Sequence, residues 1–110
     1  MDELIECNGK KVVYTLYESE DDGLFVKELE THTDLVFSQP GKVLILNDFS
    51  NVQLNFHKLE LAKSFAERIK PKVERDCIVS DALVAAALMN GFAKVVGIDY
   101  HLFSSKEKAL

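Results

Sequence analysis

The chain has 110 residues, 47% hydrophobic and 28% charged, with a net charge of −5. That length and balance fit one globular domain with a single core, and they argue against a disordered, collagenous or membrane-spanning chain. The acidic balance argues against nucleic acid as the main partner, because phosphate neutralisation supplies most of that affinity.

The first residues, MDELIECNGK, begin acidic and lack a basic segment followed by an apolar one. No signal peptide and no stable membrane insertion are therefore expected, and the cytoplasm is the default compartment. Residues 3–17 place Asn8-Gly9 between two β-prone runs. This dipeptide suits a type I′ turn, which requires positive φ at both central positions, so an antiparallel hairpin opens the chain. In its second strand Val12, Tyr14 and Leu16 share one face, and Val13, Thr15 and Tyr17 share the other. The cysteines, Cys7 and Cys77, show no C-x-x-C spacing and read as reduced strand residues.

Glu18, Glu20, Asp21 and Asp22 precede a helical pattern over Asp22 to Ser38. Acidic residues suit the partial positive charge of a helix start. Phe25, Leu29, His32 and Val36 fall at i, i+4, i+7 and i+11, which makes one inward stripe. His32 is expected on that helix face with one ring nitrogen in water. Pro40-Gly41 then ends the helix and opens the stretch KVLILNDFS, Lys42 to Ser50, whose apolar run Val43 to Leu46 reads as a strand covered on both faces. Covering both faces calls for helices above and below.

After a polar turn, Leu59, Ala62, Phe65, Ala66 and Ile69 mark the inward face of a second helix, stopped near Ile69 by Pro71. Arg68, Lys70, Lys72 and Arg75 form a basic cluster there, able to attract an acidic partner or to complement the helix dipole. A short strand is predicted from Asp76 to Ser80. Ser80 and Asp81 then suit the N-cap of a third helix, Ala82 to Val96, which has almost no polar face. Its Met89 and Phe92 supply bulk for a dimer mate, a cavity or the sheet. A strand at Tyr100 to Phe103 and a short C-terminal helix complete the order β-β-α-β-α-β-α-β plus stub. This is a single α/β domain, residues 1–110, with a mixed sheet.

The order, with VLILNDFSNV, FAERIKP, LMNGFAKVVG and LFSSKEKAL from Lys42 to Leu110, resembles the SpoIIAA-like fold of STAS domains. The resemblance is to small STAS-like bacterial proteins, and the fold is shared with CRAL-TRIO lipid-binding domains. It implies a non-catalytic regulatory or protein-interaction domain, or alternatively a carrier of a small apolar or lipid-like ligand. STAS regulators carry a phosphorylatable serine or threonine at the start of the helix after the central strand. Here Phe56, His57 and Lys58 occupy that place and none has a hydroxyl.

In open α/β sheets ligands collect outside the carboxyl ends of parallel strands. The candidate partner-binding residues are accordingly Asp48, Ser50, Asn51, Phe56, His57 and Lys58, with Met89 and Phe92 of the third helix. The partner is a protein or a second copy of the chain, giving a homodimer. The scattered His32, His57 and His101 offer no metal-ligand spacing, and no Ser-His-Asp order or glycine-rich phosphate loop is present, so no metal, cofactor or catalysis is expected.

Overall fold

The computed structural model describes residues 2–53, 55–80, 94, 97 and 100–103. Five strands form one sheet in the spatial order β1-β2-β3-β4-β5. They are β1 (Asp2–Cys7), β2 (Lys10–Leu16), β3 (Val43–Asp48), β4 (Val73–Val79) and β5 (Tyr100–Phe103). β1 pairs antiparallel with β2, and every other pairing is parallel. Helix α1 (Asp22–Phe37) joins β2 to β3, and α2 (Phe56–Ile69) followed by a 3-10 turn (Lys70–Lys72) joins β3 to β4. The third helix and the C-terminal stub expected from the sequence lie outside the described residues.

The hairpin forms as its turn dipeptide requires. Asn8 has φ 53° and Gly9 φ 78°, the left-handed pair that a two-residue type I′ loop demands. α1 is capped by Asp21, whose side chain accepts from the Leu24 N–H. α2 is capped by Asn55, which accepts from the Lys58 N–H. All four stripe residues of α1, Phe25, Leu29, His32 and Val36, are buried.

Both described helices lie on one face of the sheet. Phe25 and Leu29 of α1 join Leu59 of α2 in one cluster with Tyr17, Phe49 and Ile78. Val36 and Ile69 join Val13, Val43 and Ile45 in a second. Two parallel crossovers of the same hand, stepping in the same direction along the sheet, put their helices on the same side. The opposite face of β3 is nevertheless closed, with Val12, Tyr14, Leu46, Cys77 and Val79 buried together. β3 is thus covered on both faces, while α1 and α2 both cover the same one.

β4 begins three residues earlier than its apolar pattern suggests, at Val73. Glu74 and Arg75 are exposed strand residues, and the register against β3 shifts between Val43 and Leu44, which face Val73 and Arg75. A bulge of this kind leaves charged residues outward at the strand's start and hides it from a search for alternating apolar residues. Cys7 is half-buried and Cys77 is buried. No helix among the described residues is long and apolar enough to cross a membrane.

The ring of Phe25 has no exposed surface and sits 5.5 Å from Tyr17 and 6.4 Å from Phe49, centroid to centroid. Phe25→Ala is expected to cost about 3–5 kcal/mol in denaturant unfolding, whereas Phe37→Ala, at an exposed position of the same helix, should change stability by less than about 0.5 kcal/mol.

Candidate functional site

The carboxyl ends of β2 and β3 lead into two segments, 17–21 and 49–55, that precede α1 and α2. Backbone bonds hold them to the sheet: the Tyr17 N–H donates to the Asp48 carbonyl at 3.0 Å, and the Phe49 N–H to the Val79 carbonyl at 2.9 Å. The rings of Tyr17 and Phe49 stack at 4.6 Å. The Gln53 N–H donates to the Glu20 carboxylate at 2.8 Å, and Glu28 accepts from the N–H groups of Glu18 and Ser19 at 3.0 Å each. The rim is therefore fastened at several points.

Lys58 is the innermost of these fastenings. It is 3% exposed, its Nζ donates to the Glu20 carbonyl at 2.8 Å and to Asp22 at 3.3 Å, and it lies 5.2 Å from the centre of the Phe25 ring. A buried ammonium must have its donors satisfied, and these partners do so while tying the first turn of α2 to the start of α1. Lys58 was expected to face a partner. It is instead an internal tie.

Asp48 is corrected in the same sense. It is 5% exposed, accepts from Tyr14 Oη at 2.7 Å and accepts from the Ser50 N–H at 3.0 Å. Its carboxylate orders the turn rather than lining an open rim. Ser50, Asn51, Phe56 and His57 are exposed. Phe56 is 71% exposed, the highest value among the exposed large hydrophobic side chains of the described residues. His57 Nε2 lies 2.9 Å from Asp22. Asp22 thereby holds Lys58 from within and His57 from outside. Met89, Phe92 and Asp81 lie outside the described residues.

A second group of polar residues sits beneath the helices. His32 is 3% exposed, so the expectation of a wet ring nitrogen is overturned: the i+7 position of the stripe turns the imidazole into the core. Thr15 Oγ1 donates to Asp2 at 2.6 Å and lies 2.7 Å from His32 Nδ1. A carboxylate only accepts, so the single hydroxyl proton of Thr15 is committed to Asp2 and Nδ1 must carry the imidazole proton. Nε2 is left as a lone-pair acceptor, buried and unpartnered. Burial pushes the His32 pKa from 6.5 down to about 4, which keeps the ring neutral.

On the adjoining strands Tyr17 Oη donates to Asn47 Oδ1 at 3.2 Å, and Asn47 Nδ2 donates to Asp76 Oδ1 at 3.1 Å. Asp76 is 1% exposed. Burial pushes its carboxyl well above the ordinary aspartate range, opposed by the weaker pull of the Asn47 hydrogen bond. His32, Tyr17, Asn47 and Asp76 line a cavity of about 40 Å³, walled otherwise by apolar side chains of α1, α2 and the sheet.

Two larger pockets, of about 680 and 300 Å³, share Lys10, Leu44 and Arg75 in their walls. The basic cluster noted in the sequence is partly engaged there and nearby. Lys72 donates to the Gln39 carbonyl, Arg68 lies 5.5 Å from the centre of the Phe65 ring, and Lys10 pairs with Glu74 at 3.3 Å. Among the described residues no group of three or more His, Cys, Asp or Glu side chains is placed to hold a metal ion.

No protein-family model matches the chain, and neither a curated protein nor a solved structure does.

The buried pair gives opposite pH dependences. For His32 the folded-state pKa lies below its unfolded value, so its neutral form is preferred in the core, and stability is fully present above about 6.5 and lost as pH falls toward 4. The loss should reach about 3 kcal/mol at most, and a His32→Leu variant should flatten the slope of unfolding free energy between pH 6.5 and 4. For Asp76 the raised value means that ionisation at neutral pH costs stability, so Asp76→Asn should raise the thermal midpoint at pH 7. That gain should vanish as pH approaches 4. Lys58→Met, which keeps the stem but removes the charge from Glu20 and Asp22, should retain the fold at lower stability, while Lys58→Ala should lose a further 1–2 kcal/mol or so from the lost stem packing.

Proposed function

We propose that this chain is a non-catalytic protein-interaction domain of STAS-like type that works as a homodimer or with another protein. The described part of the fold, a hairpin followed by parallel strands joined through α1 and α2, supports this reading. Under it the full order includes the third helix at Ala82 to Val96 and the C-terminal stub. The phosphoacceptor position of the classical regulators is occupied by Phe56, His57 and Lys58, so recognition here is constitutive rather than switched by a phosphate at that place.

The observation that carries the proposal is Phe56. A phenylalanine 71% exposed at the first position of α2, on a rim pinned by Lys58 and Asp22, is an aromatic anchor already held in place before binding. Ser50, Asn51 and His57 supply polar exposed surface on the same segment, as an interface rim requires. The alternative, a carrier of a small apolar or lipid-like ligand, has weaker support, because the pockets of sufficient size include the cations Lys10 and Arg75 in their walls.

The test is site-specific photocrosslinking in cells with benzoylphenylalanine at position 56, compared with the same group at exposed Lys63. Position 56 should give a defined adduct, with a second copy or with another protein, and Phe56→Ala should weaken the isolated complex at least about tenfold without shifting the unfolding midpoint. Equal or absent crosslinking at both positions would remove the rim from consideration.

A further inference from the structure

We propose that the Phe56 rim docks head to tail into the basic pocket at the opposite end of a second copy, the Phe56 ring entering between Lys10, Lys70 and Arg75. The proposal rests on the reading of that rim as an interface, and it names the occupant.

The two surfaces lie at opposite ends of one sheet. Phe56 follows the carboxyl end of β3, whereas the pocket of about 680 Å³ is walled by Lys10 at the start of β2, Leu44 near the start of β3, and Val73 and Arg75 at the start of β4. These three strands run parallel, so their starts and their carboxyl ends stand on opposite sides of the molecule. Lys10, Lys70, Glu74 and Arg75 of the wall are exposed. The pocket is therefore reached from solvent.

Their charges are opposite. At the rim Glu18, Glu20, Asp21 and Asp22 are exposed, and the bonds from the Gln53 N–H to Glu20 and from His57 to Asp22 bring two of these acids to the start of α2. Lys58, the cation that answers Asp22 from within, is buried. The segment that carries Phe56 thus meets an acidic border. In the pocket, among the described residues, Lys10, Lys70 and Arg75 stand with two acids, of which Glu74 is paired with Lys10 at 3.3 Å and Asp76 is buried on Asn47. The charges of Lys70 and Arg75 are left to meet an acidic guest.

Size and chemistry follow the same pairing. Pockets that take whole small ligands measure roughly 300–1,000 Å³, so a phenyl ring enters this one with room for its neighbours. Leu44 and Val73 offer the ring an apolar wall, and the cations beside them suit its negatively polarised face. A rim-to-rim pair about a two-fold axis would instead set the acids of one copy against those of the other, at a repulsive cost. Each copy carries one rim and one pocket at opposite ends, so docking leaves both outer ends open and adds copies in sequence.

The test is sedimentation velocity of the full chain, joined to crosslinking. The unaltered chain should show association that grows with concentration and weakens as salt is raised. Phe56→Ala, and separately Lys70→Glu combined with Arg75→Glu, should each weaken association at least about tenfold while both variants keep the fold. An equimolar mixture of the two variants should then form a dimer and nothing larger, because one brings an intact pocket and the other an intact rim. Benzoylphenylalanine at position 56 of the purified chain should crosslink to the Leu44 or Val73 segment of a second copy, a readout that stands if the double variant fails to fold. A chain monomeric at every concentration, a mixture of folded variants that stays monomeric, or a crosslink joining two rims would overturn the proposal. Crosslinking in cells to another protein alone would overturn head-to-tail docking and leave the rim an interface, whereas equal crosslinking from positions 56 and 63 would remove both.

Discussion

Burying β3 on both faces sets the terms for everything around it. The strand has a parallel neighbour on each side, apolar clusters on each face and polar residues at its carboxyl end, so every polar group there must be satisfied from within the chain. Asn47 faces the helices and is held between Tyr17 and Asp76. Asp48 faces the other way and is held between Tyr14 and the Ser50 N–H. In many open α/β sheets those two positions would reach a ligand at the strand ends. Here they are consumed by closing the sheet, and the exposed chemistry moves outward by a few residues to Ser50, Asn51, Phe56 and His57.

The same demand explains the two cationic or titratable side chains buried on the helices. Lys58 and His32 both stand on apolar stripes: Lys58, Ala62, Phe65 and Ile69 repeat the spacing of Phe25, Leu29, His32 and Val36. Each therefore points toward the sheet whatever its polarity, and each had to find partners there. Lys58 found a carbonyl and a carboxylate at the start of α1, which makes it a tie between the two helices. His32 found Thr15 on one side only. One polar stripe residue thereby stiffens the fold, and the other leaves an acceptor beside a cavity.

How far these features could be read in advance depended on whether they are local. The hairpin, both helix starts and the burial of the run Val43 to Leu46 follow from dihedral preference, capping and periodicity over fewer than twenty residues, and they match the structure. The start of β4 was missed because Glu74 and Arg75 interrupt its apolar pattern at a bulge. The inward Lys58 was missed although its spacing on the stripe signalled it, since a lysine at a strand-end rim reads more naturally as a contact residue. Burial of His32 was legible as a stripe position. Its tautomer was not, because that rests on Asp2 and Thr15, which approach it only across the sheet. Asp76 and Asn47, twenty-nine positions apart, carried no sequence sign of being partners.

The amino-acid sequence by itself determined an α/β chain opened by an Asn-Gly hairpin, with a central strand buried on both sides, because turn chemistry and hydrophobic period act over neighbouring residues. Only the tertiary structure decided that α1 and α2 share one face, that Asp48 and Lys58 turn inward, and that His32 keeps an unpaired lone pair above Asn47 and Asp76. Those outcomes depend on which distant residues meet when the sheet closes, and on the cost of leaving a buried polar group unsatisfied.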